Sequence, residues 1–259
     1  MMPRMLVCEH IETVDSTQKE SLRRILQGAD TDLSQEPMKP FALWTLQQTQ
    51  GLASHGRRWQ DSIGGGLALS IAWPESIERT ALPALPARLS VLVLSVLERT
   101  YPTLRQRLGV KWPNDIISAD AKLAGVLVSR HQAKGLVWLI AGIGVNLLWK
   151  EPPQLERPVT DLKTLGVMDP DPAMLVAEIF SELQRLWRGE ILTHGWEQEF
   201  MKRDTLSGCT VDVVHPLTGK VLQRGENNGV SAAGDLLLQV GRETVPVKIG
   251  ELSLRRILQ

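Results

Sequence analysis

Beyond Thr205 the apolar residues of this chain change their period. Val211 and Val213, then Leu236, Leu238 and Val240, then Val245, Val247 and Ile249 recur at every second position. That spacing puts side chains on one face of a strand. Glycines at 219, 225, 229, 234 and 241 interrupt the runs, and no helical pattern occurs among them. Before Thr205, helix and strand patterns are mixed. The change predicts an α+β chain in two parts, 1–205 and 206–259. The second is expected to be a small antiparallel barrel, too short to bury much apolar surface alone and therefore docked on the first.

The first part carries both periods. Leu89, Leu92, Val93, Val96 and Leu97 form one face of an amphipathic helix. Asp171 with Pro172 is an N-cap and first-turn pair, predicting a helix to about Trp187 with Val176, Ile179 and Leu183 inward. Thr17 followed three residues later by Glu20 has the form of a capping box, for a helix running to about Gln27. A further helix is expected from about Thr193 to Lys202. Strands are expected at Phe41–Leu46, Leu67–Trp73, Val110–Trp112, Ile116–Ile117, Leu123–Arg130 and Leu136–Ala141, with a long loop from Gln47 to Gly66.

Lysine plus arginine equals aspartate plus glutamate, at 29 each. No overall charge therefore draws the chain to nucleic acid or to a membrane surface. Cys8 and Cys209 lack metal-ligand spacing and are expected as reduced thiols. The histidines form no HxxxH pair, which argues against structural zinc. No apolar run approaches a membrane span, and residues 1–9 are too short and broken for a signal peptide. A cytoplasmic protein without DNA or membrane partners is expected.

Lys111-Trp112-Pro113-Asn114-Asp115 and, soon after, Lys122-Leu123-Ala124-Gly125-Val126-Leu127 set two lysines, an asparagine and an aspartate in strand-like apolar sequence. A buried charge is costly unless something opposite pairs with it. These cations call for an anion: a carboxylate, a phosphate or a mixed anhydride of both. A plainer reading stands beside this one, since Pro-Asn-Asp is a common turn and Lys122 could be an edge lysine that snorkels. In the long loop, Arg57 and Arg58 can grip phosphates, and Trp59 can lie over a flat ring. Gly64-Gly65-Gly66 is followed by no GK[ST] and is not a Walker loop.

With four further segments, these motifs resemble the biotin protein ligases (biotin–[acetyl-CoA-carboxylase] ligases). Asp15-Ser16-Thr17-Gln18 resembles their N-terminal motif. Gly56-Arg57-Arg58-Trp59 with Gly64 to Ser70 resembles their arginine loop and following strand. Gly142-Ile143-Gly144-Val145-Asn146 resembles their GxGxN, and Gly250 to Arg255 their GExSLR. The resemblance implies a mixed-sheet catalytic domain of the biotin/lipoate ligase type over 1–205 and an SH3-like barrel over 206–259. It implies an enzyme using ATP and Mg²⁺ to form biotinyl-5′-AMP, which then labels one lysine of the biotin carboxyl carrier domain of acetyl-CoA carboxylase. A monomer or weak homodimer is expected.

The same resemblance implies roles. Lys122 and Arg57 would be catalytic. Biotin would be held by Ser16, Thr17, Gln18, Gln48, Gly51, Leu52, Ser54, Lys122, Gly125, Gly142 and Gly144. ATP would meet Arg57, Arg58, Trp59, Lys111, Asn114, Asp115 and Asn146, with Asp115 also at the metal. Where the family reads GRGRxGRxW, this chain reads Gly51-Leu52-Ala53-Ser54-His55-Gly56-Arg57-Arg58-Trp59, so Leu52 and Ser54 replace two arginines. That departure leaves open an impaired ligase that only binds biotin and ATP. A lipoate or octanoate transferase of similar fold is a further alternative. Some relatives add an N-terminal DNA-binding module; with ligase motifs starting near Asp15, a form without it is expected.

Overall fold

The computed structural model describes residues 7–27, 40–53, 59, 64–75, 84–133, 135–149, 158–191, 194–248 and 252–257. Strands β1 (Val7–His10), β2 (Phe41–Thr45), β3 (Gly66–Glu75), β4 (Gly109–Lys111), β5 (Asp115–Ser118), β6 (Ala121–Ala133) and β7 (Leu136–Asn146) form one seven-stranded sheet. Its order is β1-β2-β3-β7-β6-β5-β4. Only β1 and β2 run parallel; every other pair is antiparallel.

Alternation along the strands divides this sheet into unlike faces. Leu67, Leu69, Ile71, Val126, Ile143 and Val145 are buried in one large cluster with helix α2 (Leu85–Thr100) and helix α3 (Pro172–Trp187). Ala68, Ser70, Ala72, Gly125, Gly142 and Gly144 alternate with them and face helix α1 (Thr17–Gln27). Ile25 of α1 is fully buried against Ala72, Trp138 and Ile140, a burial that stabilises by roughly 1.5–3 kcal/mol. These apolar partners anchor the C-terminal half of α1. The N-terminal end of α1 rests instead beside the glycines.

Helix α4 (Trp196–Arg203) leads to strands β8 (Thr210–Val214), β9 (Val221–Val230), β10 (Leu236–Val240), β11 (Glu243–Val247) and β12 (Ser253–Arg256). They pair antiparallel in the order β11-β10-β9-β8-β12. Among the described residues no hydrogen bonding joins β11 to β12 into a closed barrel. This sheet is docked, because Val211, Val213, Leu236, Leu238 and Leu254 share the buried cluster of the first sheet. The Trp112 indole Nε1–H donates to Gly234 O at 3.0 Å, and Thr205 N to Val110 O at 3.0 Å.

Asp171 caps α3 as its sequence predicts, its carboxylate accepting from Met174 N at 3.0 Å. The capping box does not form. Helix α1 begins at Thr17 itself, whose hydroxyl turns into the protein, while Glu20 pairs with Arg23 and Arg24. Strands β6 and β7 run longer than expected. Strand β1 carries no sequence signal, since all four of its residues are exposed and nothing alternates. Among the described residues no helix is long and apolar enough to cross a membrane.

Candidate active site

On the α1 face of the seven-stranded sheet lies an open cleft, with about 440 Å³ of space between its walls and the solvent at its mouth. Its floor is made of small residues in register: Gly125 opposite Gly144, Ser70 opposite Gly142, and Ala68 opposite Gly144. A Cβ on Gly142 would stand 2.8 Å from the Gln18 amide nitrogen, one on Gly144 2.6 Å from the Trp59 ring, and one on Gly125 2.8 Å from Lys122 Nζ. Each glycine makes room for a different side chain that any Cβ would displace.

A β-bulge delivers Lys122 to this floor. Ile116 pairs with Ala124 but Ile117 pairs with Lys122, so Leu123 is an extra residue on β6. Unbroken alternation would send Lys122 into the core with Ala124 and Val126. The bulge keeps Leu123 in the core and turns Lys122 over Gly125. The backbone there is pinned: Lys122 N donates to Pro158 O and Thr160 N to Lys122 O, each at 2.9 Å. Asn146 Nδ2 donates to Lys122 O at 3.2 Å and to Thr160 O at 3.0 Å, while its buried Oδ1 has no hydrogen-bond partner among the described residues. The Lys122 ammonium lies 2.6 Å from Asp115 Oδ1 and 5.3 Å from the Trp59 ring centroid.

At the start of α1, Asp15 Oδ1 accepts from Ser16 N at 2.8 Å, and the Arg23 guanidinium grips the carboxylate at 2.6 and 3.0 Å. The hydrogen bonds from Arg23 hold the Asp15 carboxyl down at about 2. The Ser16 residue this turn presents is 1% exposed, and among the described residues its hydroxyl has no partner. A buried hydroxyl left unbonded costs about 1–3 kcal/mol, which a ligand hydrogen bond would relieve. Thr17 Oγ1 accepts from Ser70 Oγ at 2.7 Å and donates to Gln48 Oε1 at 3.3 Å; Thr17 N donates to the same Gln48 oxygen at 2.9 Å.

Gln18 is built into the wall. Its Nε2 donates to Leu127 O at 2.9 Å and Ile140 O at 3.3 Å, and its Oε1 accepts from Ser129 Oγ at 3.4 Å. His131 stands behind that serine at 2.9 Å, its pKa lowered by burial. Asn114 Nδ2 donates to Val126 O, and Val126 N donates to Asn114 O at 3.0 Å, which fastens the turn after β4 onto β6.

Ser16, Thr17, Gln18, Gln48, Leu52, Trp59, Asn114, Lys122, Gly125, Gly142 and Gly144, all singled out from the sequence, line this one cleft. Asp115 joins through its ion pair with Lys122, and the Gly51 carbonyl accepts from Trp59 N at 2.9 Å. Lys111 sits across the β4–β5 hairpin from Asp115, and Asn146 braces the Lys122 backbone; neither lines the cleft. Ser54, Arg57 and Arg58 lie outside the described residues, as do Gly250 and Glu251. Ser70 and Ala68 are lining residues that sequence reading missed. The available signal was a lone hydroxyl inside the apolar run from Leu67 to Trp73.

The arrangement suits a ligand with a polar head, a flat or apolar body and an anionic end. Among the described residues no group of three or more His, Cys, Asp or Glu could hold a metal on protein ligands alone.

The sequence profile described as the Biotin/lipoate A/B protein ligase family matches residues 11–146, the stretch that supplies every lining residue. A biotin–[acetyl-CoA-carboxylase] ligase of Mycobacterium tuberculosis is 28% identical over 243 residues, covering 92% of this chain and 85% of that protein. The bifunctional ligase/repressor BirA of Escherichia coli is 26% identical over 258 residues, covering 95% of this chain and 73% of that protein. A solved biotin protein ligase from Aquifex aeolicus, in complex with biotin and ATP, has a TM-score of 0.77 and 26% identity, covering 97% of this chain and 99% of that one.

Proposed function

We propose that this chain, which belongs to the biotin/lipoate A/B protein ligase family, is a biotin protein ligase. It joins the biotin carboxylate to the α-phosphate of ATP, releasing pyrophosphate and forming biotinyl-5′-AMP. A lysine amine of a biotin carboxyl carrier protein then attacks the acyl carbon, and AMP leaves. The supporting relatives are the ligase named for this reaction and the structure that holds biotin and ATP.

The observation that carries the reading is a single cleft containing both the buried Ser16 hydroxyl, unpartnered among the described residues, and the Lys122 ammonium over a glycine floor. A carboxylate and an amine do not condense in water, and the mixed anhydride supplies the leaving group. The protein's work is positioning and charge neutralisation. Ser16 and the hydroxyl network of Thr17, Ser70 and Gln48 take the polar ring of biotin. Lys122 meets the carboxylate and the attacked phosphate. The Oδ1 of Asn146, without a partner among the described residues, is an acceptor for the amino group of adenine. Arg57 and Arg58 serve the phosphates.

A magnesium ion fits this site as a companion of the nucleotide. Mg²⁺ commonly uses one or two carboxylates together with phosphate oxygens, and Asp115 is the carboxylate nearest Lys122. Bound there, the ion would neutralise phosphate charge. The test is pyrophosphate release with ATP, Mg²⁺ and biotin, lipoate or octanoate in parallel, followed by mass analysis of a carrier domain. Biotin alone should be consumed and should appear on one lysine. Use of lipoate or octanoate without biotin would contradict the proposal.

A further inference from the structure

We infer that Asp115 is the resident counter-ion of Lys122, standing where a ligand carboxylate must come, and that it thereby sets the affinity of the site for the free acid. The inference rests on the biotin-ligase reading above. Its geometry is fixed by backbone pairing. Asp115 opens β5 directly opposite Gly125, and the Lys122 side chain crosses that same glycine. Both charges therefore converge on one spot above the floor, 2.6 Å apart, with side chains only 30% and 19% exposed. Partial burial keeps water and salt from screening them fully.

Trp59 covers a second side of the ammonium at 5.3 Å. An incoming carboxylate must then share the ammonium with Asp115 or replace it. An ammonium has three donors and can touch two carboxylates, but two like charges on one nitrogen repel. The acid thus binds against a standing electrostatic penalty. A divalent cation arriving with the nucleotide would draw Asp115 away from Lys122 and lift that penalty. Nucleotide and acid would then strengthen each other's binding, as any such coupling is reciprocal.

The test is calorimetric titration without nucleotide, using biotin and its uncharged methyl ester against wild type, Asp115→Asn and Asp115→Ser. Biotin should bind both variants about tenfold more tightly than wild type, about 1.4 kcal/mol, and the ester should bind all three alike. Acid binding that is unchanged or weaker in the folded variants overturns the inference. So does an equal tightening of acid and ester, which would mean that the variants merely open the cleft. The two substitutions differ in size, so a folding failure of one leaves the other to decide. If folded wild type binds neither acid nor ester, the biotin-ligase reading itself has failed and the inference falls with it.

Discussion

The two faces of the seven-stranded sheet are made by the same strands and obey opposite rules. Toward α2, positions 67, 69, 71, 126, 143 and 145 are branched aliphatics, buried to within 5% exposure. Toward α1, the intervening positions 68, 70, 125, 142 and 144 are Ala, Ser or Gly. The first face maximises buried apolar area, the main favourable term in folding. The second forgoes it to keep a volume open. A strand that gives up packing on one side only is a strand built around a ligand.

Substitutions on the two faces should therefore separate stability from binding. Leu67→Ala, on the α2 face, should cost about 2–5 kcal/mol of unfolding free energy while leaving the biotin dissociation constant of the folded protein unchanged. Chemical denaturation and calorimetry together check this. On the other face, Lys122→Ala should slow pyrophosphate release about 100-fold or more, the scale for loss of a placed charge stabiliser, with little change in melting temperature. A Lys122→Ala protein of normal activity would return the residue to the role of a snorkelling surface lysine.

Gly144→Val should weaken biotin binding by about 10- to 100-fold, because even a single Cβ there would lie 2.6 Å from the Trp59 ring. Unaltered affinity in a folded Gly144→Val protein would mean that the ligand lies elsewhere. A smaller effect is expected where the C-terminal part of the chain meets Trp112. Trp112→Phe removes the indole hydrogen bond to Gly234 and should cost about 0.5–1.5 kcal/mol in denaturation. It should also raise the KM for ATP more than that for biotin, since Trp112 adjoins the turn bearing Asn114 and Asp115.

The smallest effect concerns pH. The Asp15 carboxyl falls from 3.8 to about 2 in the fold. A depressed carboxyl contributes stability that is complete above the unfolded value and lost as pH falls through the folded one. The window is therefore pH 3.8 down to about 2. Arg23 is substantially exposed, so the contribution should be under about 1 kcal/mol. Denaturation curves of wild type and Asp15→Asn should converge as pH drops across that window; a constant gap would contradict the assignment.

What could be read in advance follows the same division. Helices α2 and α3, the Asp171 cap and the period-two strands of the C-terminal sheet announce themselves because burial imposes a period. The glycine motifs could be read by resemblance, but the reason for each glycine is a neighbour far away in sequence. The bulge at Leu123 leaves no mark in composition, yet it decides which face Lys122 occupies. The capping box misled because Thr17 finds Ser70 and Gln48, partners that exist only in the folded chain. Asn146 reads as a nucleotide contact, and nothing in the sequence announces that its amide nitrogen also braces the lysine backbone. Local pattern cannot distinguish a side chain that touches a ligand from one that holds another in place.

The central claim is that the small-residue face is the biotin site, and backbone amide resonances followed through a biotin titration test it most directly. The account predicts that shifts concentrate at Ser16–Gln18, Gly125 and Gly142–Gly144, while the α2 helix and the C-terminal strands stay still. Shifts confined to α2, α3 or the C-terminal sheet, with the glycine floor unmoved, would contradict it.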